Sequence, residues 1–300
     1  MVTLPNGVLI NNLIKDLRIY SWEAADILLN YSVKIKDLSF KKEVLRSLDQ
    51  NDPVTEADLT VNERIIKNIE DNYPEADWKI LSEENVKRQS DMPNFNTDWL
   101  WVLDPLDGTK DFIQGTKNYA MHLALNYKQK AYIGLVLIPE RNELWISDGE
   151  ETWCETREKS FKNPLLPVNK SLDEMVIVTS KNHRNQTLQR LIKNINFKEV
   201  IVMGSIGCKI ASILRGESDI YISLSLPGQT SPRDWDFAAP EAILKAAGGA
   251  LTNLDNQDLS YGKSNFEKGG FIIASNNREN HENLCLQLKE IIKKNNIFNI

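Results

Sequence analysis

Along the first quarter of the chain apolar residues recur at helical spacing from about Leu13 to Asn72, with Leu59, Ile66 and Ile69 among them. That period predicts two helices around a loop at Asn51 to Val54. The pattern then shortens: Trp78-Lys79-Ile80 predicts a short strand, and Trp99-Leu100-Trp101-Val102-Leu103 is a continuous apolar run of buried-strand length that stops at Asp104-Pro105. Four strands are predicted next, at Tyr119 to Tyr127, Ala131 to Ile138, Glu143 to Ser147 and Thr152 to Glu155, separated by the turn signals Pro139-Glu140-Arg141-Asn142 and Asp148-Gly149. Connections this short imply an antiparallel meander.

Beyond Lys159 to Pro167, where Pro164 and Pro167 suggest a boundary, strands alternate with helices. Strands are predicted at Met175 to Ser180, Glu199 to Met203 and Asp219 to Ser223, and helices near Gln186 to Lys193 and Ile206 to Leu214. A helix from Asp236 to Ala247 ends at Gly248-Gly249, a strand follows at Phe271 to Ala274, and a last helix runs from about His281 to Lys294. Alternation of this kind predicts a parallel or mixed sheet. The expected organisation is therefore an α+β unit over residues 1–165 with an antiparallel sheet, and an α/β unit over residues 166–300.

Length agrees, because 300 residues is long for one core and comfortable for two. The 42 acids and 36 bases are spread along the chain, leaving no basic face for nucleic acid. Cys154, Cys208 and Cys285 are odd in number and lack CxxC spacing, which speaks against a disulfide framework or structural zinc and for a reducing, cytoplasmic setting. No segment approaches the ~20 apolar residues of a membrane span, and the first residues lack a basic leader, so no membrane partner is expected.

Chemistry concentrates where the apolar run ends. Asp104-Pro-Leu-Asp107-Gly108-Thr109 delivers two carboxylates three residues apart, a pair suited to a hard cation such as magnesium, and the Leu106 carbonyl lies between them. Gly108 and Thr109 offer backbone N–H groups to a phosphate if a helical turn begins there. Each element also has a plainer use. Asp-Pro and Asp-Gly close turns, paired glutamates such as Glu83-Glu84 are commonly a solvated loop, Asp236 is placed to cap a helix, and Thr55-x-x-Asp58 has capping-box spacing. The plainer uses explain these features only one at a time.

Taken in order, Asp52-Pro-Val-Thr-Glu-Ala-Asp58, Leu81-Ser-Glu83-Glu, Asp104-Pro-Leu-Asp107-Gly-Thr109-Lys and Trp235-Asp236 resemble the motif set of the inositol monophosphatase superfamily. Gly-Thr-Lys-Asp-Phe after the paired acids, with Ala-Ala-Pro-Glu-Ala-Ile-Leu near the end, is similar to its 3'(2'),5'-bisphosphate nucleotidase (CysQ-type) branch. The resemblance implies a layered αβαβα sandwich. It also implies two or three Mg2+ ions on Glu83, Asp104, Asp107, Asp236 and the Leu106 carbonyl, with Asp58 and Thr109 paired to activate the attacking water. The implied activity is hydrolysis of 3'-phosphoadenosine 5'-phosphate to AMP and phosphate, by a lithium-sensitive cytoplasmic enzyme of sulfur assimilation, monomeric or homodimeric.

For the rest of the substrate, Gly204-Ser205-Ile206-Gly207-Cys208-Lys209 is similar to a glycine-rich nucleotide-contact segment. Lys209 would hold the non-reacting phosphate, unless it merely occupies a solvated helix face beside Ile206, Ile210 and Ile213. His183 falls where related nucleotidases carry a base or phosphate contact. The segment Tyr221-Ile-Ser-Leu-Ser-Leu lacks the arginine that some of them place there. Haloacid-dehalogenase chemistry is excluded, since its nucleophilic aspartate would fall on Pro105. The alternatives are an inositol phosphate phosphatase and, outside enzymes, a non-catalytic nucleotide-binding sensor.

Overall fold

The computed structural model describes residues 2–5, 7–36, 55–88, 95–162, 169–181, 185–263 and 265–298. Helix α1 spans Ile10–Lys34 and α2 spans Glu56–Asn72. Their buried residues, Leu13, Leu17 and Leu28 on α1 with Val61 and Ile65 on α2, form one apolar stripe each, the helical period made physical. Both stripes pack on a seven-stranded sheet of β1 (Lys79–Ser82), β2 (Trp99–Asp107), β3 (Ala120–Tyr127), β4 (Lys130–Ile138), β5 (Glu143–Ser147), β6 (Thr152–Glu155) and β7 (Ser160–Lys162), ordered as in the sequence. β1 joins β2 in parallel and every later pair is antiparallel, so the predicted meander is present.

Alternation along β2 divides its side chains between two cores. Trp101 and Leu103 face α1 and α2, whereas Leu100 and Val102 face the opposite layer. That middle layer holds α6 (Ile206–Leu214) and α7 (Asp234–Ala246). Below it lies a five-stranded mixed sheet of β8 (Val176–Ser180), β9 (Glu199–Met203), β10 (Ile220–Ser225), β11 (Ala250–Asn253) and β12 (Gly270–Ser275), in the order β11-β12-β10-β8-β9. Its far face is covered by α5 (Gln186–Ile195) and α8 (Arg278–Lys294) through Leu188, Leu191, Ile222, Ile273, Leu284 and Leu288. The chain is thus a five-layer α/β sandwich with three apolar cores. Each fully buried Leu, Ile or Phe in them contributes about 1.5–3 kcal/mol.

Several boundaries differ from expectation for physical reasons. β2 does not end at Asp104 but continues to Asp107, because the ladder with β3 absorbs Pro105 in an irregularity: Asp104 pairs with His122 and Asp107 with Ala120, three steps against two. Ser160–Lys162, inside the expected boundary segment, forms β7 on the sheet edge, while Pro164, Pro167 and the loop at Asn51 to Val54 lie outside the described residues. The four-residue strand β11 follows Gly248-Gly249 without any sequence forewarning. Helix α7 begins at Asp234, two residues before the expected start.

Candidate metal and phosphate site

Three segments meet at one cavity. The end of β2 brings Asp104, Leu106 and Asp107, the first turn of α7 brings Trp235 and Asp236, and the start of the short helix α3 (Glu83–Arg88) brings Glu83. One carboxylate oxygen each from Asp104, Asp107 and Asp236 lies within 4.8 Å of the others.

Each of the three has an oxygen pinned by backbone. Asp104 Oδ1 accepts from Leu106 N at 3.0 Å, closing the turn around Pro105. Asp107 Oδ2 accepts from Ile206 N at 2.5 Å and Gly207 N at 3.3 Å, at the N-terminus of α6, and from Ser205 Oγ at 2.7 Å. Asp236 Oδ2 accepts from Arg233 N at 2.7 Å. Asp236 is therefore the third residue of its helix and Arg233 the N-cap, which corrects the expectation that Asp236 itself caps.

Charge in the cluster is poorly compensated by protein. Burial, then the charges of Glu83, Asp107 and Asp236, hold the Asp104 carboxyl well above the usual range. Asp236 is likewise raised, by burial first and by Asp107 next, with Lys209 opposing. Acids crowded together and desolvated in this way fit oxygen-seeking divalent cations, which supply the missing positive charge. Glu83 interacts with Asp104, and its Oε1 also pairs with Lys87 Nζ at 2.9 Å, so an ammonium holds the fourth expected ligand.

Asp58 and Thr109 are not hydrogen-bonded to each other. Asp58 is 1% exposed, and its Oδ2 accepts from Thr55 N at 2.8 Å and from the Thr55 hydroxyl, completing the capping box of α2. Thr109 opens the five-residue helix α4 (Thr109–Ile113) and turns its hydroxyl to the Leu106 carbonyl at 3.0 Å. Burial, with further repulsion from Glu84 and Glu83, pushes the Asp58 carboxyl up to about 8, against the lowering effect of its bonds to Thr55. Gly108 precedes Thr109 at φ 88°, and a Cβ there would sit 2.8 Å from the Asn118 carbonyl, so glycine is required for both reasons.

Lys209 is not on a solvated face. All nine residues of α6 are buried, because the helix lies between two sheets, and Lys209 is 1% exposed. Its ammonium donates to the Gly204 carbonyl and stands 5.7 Å from the centre of the Tyr221 ring, while burial lowers its pKa. Lys209 nonetheless lines the cavity, as do Gly108 and Thr109. Ser205 and Gly207 lie behind the lining as donors to Asp107. His183 lies outside the described residues.

The cavity, about 290 Å³, is lined by the clustered acids and also by Lys110, Lys181, Arg233, Ser223, Ser225 and Thr230. Arg233 lies over Trp235, its guanidinium 5.4 Å from the ring centre, and has no carboxylate partner among the described residues. Arg233 was not singled out from the sequence. Its spacing of three residues before Asp236 was the available signal, since that spacing places both on one helical face.

The inositol monophosphatase family model matches residues 20–293, and the chain belongs to that family. Among curated relatives, it is 32% identical over 188 residues to 3'(2'),5'-bisphosphate nucleotidase 1 of Mus musculus, a match covering 60% of this chain and 58% of that protein. It is 29% identical over 200 residues to 3'(2'),5'-bisphosphate nucleotidase CysQ of Buchnera aphidicola subsp. Acyrthosiphon pisum (strain APS), covering 65% of this chain and 71% of the relative. The match thus spans little more than half the length of the mouse relative. Among solved structures, an IMPase/NADP phosphatase complexed with NADP and Ca2+ superposes with a TM-score of 0.73 at 19% identity, covering 94% of this chain and 97% of the other. That likeness establishes the fold.

Proposed function

We propose that the chain is a magnesium-dependent phosphomonoesterase acting on a 3',5'-bisphosphorylated nucleoside, releasing inorganic phosphate and a nucleoside monophosphate. The observation that carries this reading is that one cavity is lined both by a partly buried carboxylate cluster and by Lys209 and Arg233. Asp104, Asp107, Asp236, Glu83 and the Leu106 carbonyl would hold two or three Mg2+ ions. Bound magnesium supplies Lewis-acid activation of water and neutralises the oxygen that leaves.

The chain's own groups do the rest. Ile206 N, Gly207 N and Ser205 Oγ fix one Asp107 oxygen and so orient the other. Asp58, whose carboxyl burial pushes up to about 8, would take a proton from the attacking water only in its deprotonated form, so activity through it should rise with pH toward that value. For Asp58 to act with Thr109, the Thr109 hydroxyl must turn away from the Leu106 carbonyl when substrate enters. Lys209 and Arg233, which has no carboxylate partner among the described residues, match a second, non-reacting phosphate, which an inositol monophosphate lacks. The names of the mouse and Buchnera relatives support the same substrate class. In this reading residues 1–165 supply Glu83, Asp104 and Asp107, and residues 166–300 supply Asp236 and the substrate contacts.

The test is a side-by-side measurement of kcat/KM for 3'-phosphoadenosine 5'-phosphate, its sulfated precursor and inositol 1-phosphate with Mg2+. The bisphosphate should rank first. Inositol 1-phosphate ranking first would replace this substrate by the inositol phosphates, and turnover of none would favour a ligand sensor.

A further inference from the structure

His122 sits on β3, fully buried, directly across the ladder from Asp104. Its ring lies between the end of β2, which carries Asp107, and the first turn of α7, which carries Asp236. Nδ1 is 3.3 Å from the carbonyl oxygen of Trp235, the residue before Asp236, and Nε2 is 3.2 Å from Asp107 Oδ2. The fit is tight on the third side as well, since a Cβ on Gly207 would strike Nε2 and the Val136 side chain.

Both neighbours of the ring are hydrogen-bond acceptors, and the geometry selects the nitrogen that donates. Nδ1 is aligned on the Trp235 carbonyl, whereas Nε2 makes no hydrogen bond, and Asp107 Oδ2 already receives three donors from Ser205, Ile206 and Gly207. The Nδ1–H bond therefore ties β3 to the first turn of α7, and the Nε2 edge abuts Asp107. One ring spans the gap between the strand pair bearing Asp104 and Asp107 and the helix bearing Asp236.

We propose that His122 is a positioning residue that sets the spacing of Asp236 against Asp104 and Asp107, and thereby the affinity of the cluster for its cation. This rests on the reading that those acids hold metal. His122 does not line the cavity. Groups that orient metal ligands from behind typically change metal affinity by about 10–100-fold when removed.

The experiment measures Mn2+ dissociation constants by calorimetry on the full chain, with the melting temperature of the metal-free protein as a second readout. Asn at 122 places an amide N–H near the Nδ1 position, whereas Gln places it near Nε2 and Leu provides neither. The expected result is affinity within about threefold of wild type for His122→Asn and a loss of about tenfold or more for His122→Gln and His122→Leu. Should His122→Leu not fold, the Asn and Gln variants decide the matter between them. Unchanged Mn2+ affinity in His122→Gln, whatever its melting temperature, would overturn the proposal, as would His122→Asn losing as much as His122→Gln. A wild-type protein that binds no Mn2+ would overturn the metal reading itself, and the role of His122 with it.

Discussion

Asp107 turns one carboxylate oxygen to the Ser205 hydroxyl at 2.7 Å and to the first amides of α6, so a residue of the large sheet is fixed by a helix packed between the sheets. Asp107→Asn keeps an acceptor for those donors and removes one negative charge from a repelling cluster. The variant should fold, and its metal-free form should melt no lower than wild type. Its kcat should fall at least about a hundredfold, since each Lewis-acid contact is worth several kcal/mol. Retention of most activity would contradict the ligand assignment.

Asp58 predicts a pH dependence of stability. Its carboxyl moves from the ordinary 3.8 to about 8 on folding, so the folded chain holds a proton that the unfolded chain has lost. The stabilisation from this group is fully present below pH 4, declines as pH rises, and is gone above about pH 8, at a slope of at most about 1.4 kcal/mol per pH unit. In denaturant unfolding of the metal-free protein, Asp58→Asn should therefore lose less stability than wild type between pH 5 and 8. The same variant should lower kcat about a hundredfold or more. Parallel stability curves for the two proteins would count against the shift.

Lys268 and Asp234 form a buried ion pair two residues upstream of Asp236, and Asp234 also accepts from Gly262 N at 2.5 Å. Removing only the cation, as in Lys268→Met, leaves an uncompensated buried carboxylate and should cost about 3–5 kcal/mol. The double variant Lys268→Met/Asp234→Asn should recover a large part of that loss. A thermodynamic cycle in which the two losses simply add would show that the pair is uncoupled.

Lys209→Met should raise KM for 3'-phosphoadenosine 5'-phosphate by about tenfold or more, as expected for loss of a charged hydrogen bond of ~1.5–3 kcal/mol. Adenosine 3'-monophosphate, which has no second phosphate, should be far less affected. Equal losses on both substrates would assign Lys209 to the reacting phosphate or to the scaffold.

Much of this arrangement is legible in the chain because two periods dominate it. The 3.6-residue stripe gives α1, α2, α5 and α8, and the continuous apolar runs give β2 to β4. The acids were legible as spaced motifs. What stayed hidden depends on pairing between distant segments. Pro105 reads as a strand breaker until β3 accommodates it beside His122. Lys209 reads as amphipathic until two sheets enclose α6. His122, one position in an apolar alternation, carries no local mark of its contact with Trp235, 113 residues away.

The most direct test is phosphate release from 3'-phosphoadenosine 5'-phosphate by the full chain, measured with Mg2+, with EDTA, and with EDTA followed by excess Mg2+. Release that appears with Mg2+, disappears with EDTA and returns on adding metal back is the predicted result. No release from this ester, its sulfated precursor or inositol 1-phosphate under any of the three conditions would contradict the assignment of Asp104, Asp107 and Asp236 to a catalytic metal centre.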